Sequence, residues 1–203
     1  HAQLIYCSSD GWSGAARAVS YTTTHPITGQ PVSYTLHFMG TKVLDADLSV
    51  LRRDGVAALS YTLDGAPARE LPDLDEAEEV VMVGDSAGGN GIIENLDFVR
   101  GLLQAQHVGG GGAPEVVGVI DAVIGPELRR LDFSQAATAD AGITTWDGYV
   151  ASASRGAAAS TGRGDESCRA WHAGDAGVCV DATHVVRHHV TTPFFVRMAL
   201  FDQ

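Results

Sequence analysis

Residues 80–91, VVMVGDSAGGNG, constrain this chain more than any other stretch. An apolar, β-branched run ends in Gly84-Asp85-Ser86-Ala87-Gly88, a G-x-S-x-G, and a helical period follows at once. Ile92, Ile93, Leu96, Val99, Leu102 and Leu103 recur at the spacing of one helix face through residues 87–106. A strand that turns so sharply into a helix needs small residues at the turn, which Gly84, Gly88 and Gly89 supply. The Ser86 hydroxyl then stands at a helix N-terminus, and the backbone N–H of Ala87 faces the place where an oxyanion would develop. The alternative is an ordinary glycine-rich turn in which Ser86 merely caps the helix. A phosphate-cradling loop fits poorly, because the lysine of G-x-x-x-x-G-K-[ST] is missing.

The rest of the chain alternates in a compatible way. AQLIYC (2–7) reads as a short buried strand followed by the loop SSDGWSGA, and PVSYTLHFMG (31–40) as a second strand. Residues 43–54 place Val43, Leu44, Leu48 and Leu51 on one helical face, with Gly55 as the stop. DGAPARELPDLDEAEE is a loop running into acidic, helical residues, and VVMV is a central strand. EVVGVIDAVIG (115–125) follows the VGGGGAP break as another strand, and TTPFFVRMALFD (191–202) closes as a buried strand started by Pro193. Between them, residues 131–177 dissolve into Ala, Ser, Gly and Thr and predict an irregular surface excursion. The alternation predicts an α/β fold with a mainly parallel central sheet flanked by helices. At 203 residues and 45% hydrophobic, the chain is expected to bury one core, so residues 1–203 form a single domain.

Charge and composition exclude several partners. A formal net charge of −12, with Lys42 as the sole lysine, repels nucleic acid and anionic membrane. No apolar run is long enough to span a bilayer. Metal binding is not expected, since no CxxC pair or HExxH helix occurs and the histidines lack regular ligand spacing; no cofactor is implied. Of the three cysteines, Cys168 and Cys179 enclose a short Gly, Ala and Asp-rich loop that suits either a local disulfide or two separate thiols, and Cys7 is left over. Trp12, in a Gly/Ser loop, suits either a wall of a ligand pocket or packing against a rim. The RGD at 163–165 is read as chance.

A serine nucleophile needs a base, and the base needs an orienting acid; in α/β-hydrolases these follow in the order Ser, Asp or Glu, His. Asp121 and Asp202 stand at predicted strand ends, but His172, His184, His188 and His189 all precede Asp202, which is the wrong order for a base. These histidines are read as surface or partly buried polar residues.

YCSSDGWSGA (6–15), GDSAGGNGIIENLDFV (84–99), VIDAVIG (119–125) and TTPFFVRMALFDQ (191–203), in that order, resemble the pectin acetylesterase and Notum-like carboxylesterase family. The resemblance spans nearly the whole chain and thins between 100 and 165. It implies an α/β-hydrolase that cleaves an acetyl or acyl ester from a larger scaffold outside the cell. Residue by residue it implies Ser86 as nucleophile, Asp202 as triad acid, Ala87 as one oxyanion donor, Gly84 and Gly88 as elbow glycines, and Asp121 as support. Cys168 and Cys179 match the family's cysteines just upstream of its last strand. The family's upstream glycine motif and its histidine downstream of the acid have no counterpart here, which predicts a chain processed or incomplete at both ends, with the histidine on a further segment or a second polypeptide.

The expected function is therefore a secreted serine carboxylesterase working through an acyl-enzyme. A catalytically inactive relative that binds polysaccharide or an acylated partner is the alternative, and a hormone-sensitive-lipase-like esterase, suggested by GDSAGGN, a third.

Overall fold

The computed structural model describes residues 2–8, 10–52, 60–62, 64–65, 69–70, 73–105, 112–125, 145, 147–148 and 164–198. Three ladders are present among them: an antiparallel hairpin of β1 (Ala16–Thr24) and β2 (Pro31–Phe38), a short antiparallel pair of β3 (Ser60–Tyr61) and β4 (Arg69–Glu70), and a parallel sheet. The sheet has the order β5 (Glu79–Asp85), β6 (Glu115–Asp121), β7 (Phe194–Arg197). Its register is unbroken: Asp85 pairs with Asp121, and Asp121 with Arg197, so the three strands end level.

One face of that sheet makes the core. Val80, Met82, Val116, Ile120, Phe194 and Val196 point toward α2 (Ala87–Ala105), whose Ile92, Ile93, Leu96, Val99 and Leu103 are buried. Gly118 lets helix and strand approach closely, since a Cβ there would stand 2.7 Å from Leu96 Cδ2. The opposite face carries Val81, Val83 and Phe195, which are exposed. Apolar residues on both faces made β5 read as a central strand; among the described strands β6 is the middle one.

α1 (Gly40–Val50) begins three residues before the apolar period that predicts it. Its first N–H groups find remote partners: Gly40 donates to Asp10 Oδ2 at 2.7 Å, and Thr41 to the Gly14 carbonyl at 3.0 Å. It also ends sooner than the expected 54, at Val50 with Leu51 as its C-terminal cap; residues 53–55 lie outside the described residues. The acidic segment before β5 condenses to one 3-10 turn, Leu74–Glu76, instead of a longer helix.

Two expectations are corrected. AQLIYC is no strand: residues 2–7 are irregular, Ile5 is 74% exposed, and only Leu4 packs against the core. Tyr6 works locally instead, accepting a hydrogen bond from Gly11 N at 2.6 Å and laying its ring 5.4 Å from that of Trp12. The PVSYTLHFMG strand pairs not with that segment but with β1, which the sequence did not announce, and the hairpin is held by cross-strand rings such as Tyr21 and Tyr34 at 5.8 Å.

Most of the 131–177 excursion lies outside the described residues. From 164 onward it is regular. α3 (Glu166–Trp171) is capped by Asp165, whose side chain accepts from Cys168 N at 2.8 Å. A further 3-10 segment, Ala176–Val180, leads to α4 (Ala182–His188), capped by Asp181. A disulfide joins Cys168 to Cys179 and ties these pieces together, while Cys7 is free and exposed.

Candidate active site

The serine turn is built by backbone crowding. Ser86 follows the last residue of β5, adopts φ 52°, and is exposed; α2 starts at Ala87. A non-glycine residue in that left-handed region is uncommon and costs on the order of 1–3 kcal/mol, a cost that persists only when the surroundings dictate the conformation. Here they do. Ser86 N donates to the Asp121 carbonyl on β6 at 3.0 Å, and the Ser86 carbonyl accepts from Asn90 N at 3.1 Å as the first bond of the helix.

The glycines around it are not equivalent. A Cβ on Gly84 would fall 2.1 Å from the Gly88 carbonyl oxygen, and one on Gly89 would meet Val123 Cγ1 at 2.8 Å. A Cβ on Gly88 would meet nothing within 4 Å. The steric demand of the turn therefore rests on Gly84 and Gly89; Gly88 contributes a carbonyl that Gly84 must accommodate, which the sequence pattern could not distinguish.

Residues 8 and 10–14 are fastened beside the start of α2. Asp10 is their hub, accepting from Ser8 Oγ at 2.5 Å, Trp12 N at 3.0 Å, Gly14 N at 3.1 Å and Gly40 N at 2.7 Å. Trp12 is 7% exposed and lies on Gly91, where a Cβ would be 2.5 Å from the indole, and Asn95 Nδ2 donates to the Trp12 carbonyl at 3.2 Å. The indole thus belongs to the core, packed where loop and helix meet.

At the level ends of the sheet, Asp121 pairs with Arg197 Nη1 at 2.9 Å. Asp202 lies outside the described residues. The histidines gather around α3 and α4, with His189 buried, His172 and His184 half-buried and His188 exposed. Burial, then the neighbouring His188, His172 and His189, hold His184 below the ordinary imidazole range, partly offset by Asp181. Burial also lowers His189, against the pull of Asp165.

No family model matches the chain. Over 103 residues, 51% of this chain and 12% of the relative, it is 33% identical to the palmitoleoyl-protein carboxylesterase NOTUM of Drosophila melanogaster. Among solved structures it is similar to the Wnt deacylase Notum from Drosophila in two crystal forms. One gives a TM-score of 0.61 at 24% identity, over 97% of this chain and 45% of that one. The other gives 0.59 at 25% identity, over 97% and 44%. The chain thus spans less than half the length of these relatives.

Proposed function

We propose, from its similarity to the Notum carboxylesterase in sequence and fold, that this chain is a serine esterase acting on an acetyl or acyl ester carried by a larger molecule such as a polysaccharide or protein. The observation that supports this most is Ser86: exposed, at φ 52°, at the carboxyl end of β5 with α2 beginning at the next residue. A helix cap does not require that conformation, whereas presenting an alcohol outside the sheet does.

In this reading Ser86 Oγ attacks the ester carbonyl and gives its proton to an imidazole oriented by Asp202. The tetrahedral oxyanion is held by the Ala87 N–H, a donor already aligned by the start of α2. The alcohol leaves with the proton, and water attacks the acyl-enzyme by the reverse sequence. A disulfide next to the last strand fits an extracellular setting.

The test is labelling by a fluorophosphonate together with hydrolysis of p-nitrophenyl acetate and longer-chain esters by the full polypeptide. Rapid labelling at Ser86 is expected, and Ser86→Ala is expected to lower kcat/KM by more than about a thousandfold. A folded protein that neither labels nor loses hydrolysis on this substitution overturns the esterase reading in favour of a binding role.

A further inference from the structure

Three histidines that are irregularly spaced in sequence converge where α3 and α4 meet. His172 caps the end of α3, His184 lies in α4, and His189 caps the end of α4. The Nε2 atoms of His172 and His184 are 3.1 Å apart. The donor atoms of these three residues and the sulfur of Cys168 all lie within 4.8 Å of one another. The sulfur is held in the disulfide with Cys179, so the imidazoles are the available donors.

His189 is the most telling of the three. The residue is 7% exposed, and Nδ1 lies 3.2 Å from Ser167 Oγ. Ser167 itself donates to Asp165 Oδ1 at 2.8 Å, so its oxygen is left to accept. This places the proton on Nδ1 and leaves Nε2 as a lone pair, and Nε2 is buried with no hydrogen-bond partner. An imidazole whose far nitrogen is anchored through a hydroxyl to a carboxylate, with its near nitrogen bare, is the arrangement that orients a metal ligand.

We propose that the imidazoles of His172, His184 and His189 form a site for one divalent transition-metal ion of the zinc class. Three nitrogens with an open fourth position for water suit that ion, whose tetrahedral ligands stand about 3.3 Å apart at Zn–N distances of about 2.0–2.1 Å. The His172–His184 pair already has that spacing. Such an ion would join α3 to α4 ahead of β7, beside the disulfide. The sequence spacing gave no such signal, because the ligands come from two helix ends and one helix interior.

Titration calorimetry of the disulfide-intact, full-length protein, without a polyhistidine tag, against Zn2+ tests this. One ion per chain is expected. His172→Gln and His184→Gln should each weaken binding by at least about 100-fold, and Ser167→Ala by about 10-fold, as loss of an outer-sphere partner does. His188→Gln should bind as the parent does. Circular dichroism reports whether each variant is folded; if the glutamine variants are not, the ring-nitrogen NMR signals of the parent decide, since only His172, His184 and His189 should shift while His25 and His37 stay. A folded parent that takes up no Zn2+, or His188→Gln falling as far as the others, overturns the site.

Discussion

At the scale of single residues, the serine turn makes a sharp pair of expectations. Gly84→Ala puts a methyl 2.1 Å from a backbone carbonyl that belongs to the turn itself, so neither side can yield cheaply. A loss of about 3 kcal/mol or more is expected in denaturant unfolding. Gly88→Ala, with open space around it and a helical backbone, should be neutral or stabilising by up to about 1 kcal/mol. Ser86→Gly should stabilise by about 1 kcal/mol through relief of the positive φ, at the expense of any chemistry the hydroxyl performs. The turn was legible in the sequence because G-x-S-x-G between two strong periodicities has few ways to fold. The unequal roles of its glycines were not, since they depend on which carbonyl crosses above which Cα. Trp12 shows the same limit: an indole among glycines reads as display or as packing until Gly91 is seen beneath it.

At the scale of elements, α2 carries a titrating group on its inner side. Burial raises the Glu94 carboxyl from 4.5 to about 7, helped by the charge of Asp165 and opposed by the Asp165 backbone N–H and by Arg169. The folded protein therefore binds a proton that the unfolded chain has released, so stability is greatest below about pH 4.5 from this group and falls as pH rises toward 7. The cost is on the order of 3 kcal/mol at most. Glu94→Gln should remove this slope, so that thermal melts of the variant between pH 5 and 7.5 change less than those of the parent. The helix itself was plain from its apolar spacing, and so were β5 and β6, whose residues are buried by neighbours close in the chain. α1 was only half legible: its start is set by a carboxylate 30 residues away, at Asp10, which no local pattern encodes. The hairpin partner β1 escaped for a related reason, because its Ala, Arg, Ser and Thr gain strand character from pairing with β2 and not from burial.

At the scale of the whole molecule, stability is unevenly spread. The parallel sheet with α2 holds the most deeply buried side chains, including Ile93, Leu96, Val99 and Ile120, whereas β2 is exposed along almost its full length. Amide hydrogen exchange should therefore be faster in residues 16–38 than in residues 116–120 and along the inner face of α2, with at least about a hundredfold between them. Equal protection in both would mean that the hairpin is covered in solution. The three parallel strands that stop at one level also act as a ruler. Whatever follows Asp85, Asp121 and Arg197 departs from a common line, so separations across that line come in fixed strand widths. Removing one residue from β7 would draw Met198 back by about 3.3 Å and turn it to the other side of the sheet. Evolution could lengthen the loops along that line freely, but editing the strands beneath them by a single residue would shift what stands at one strand end relative to the other two.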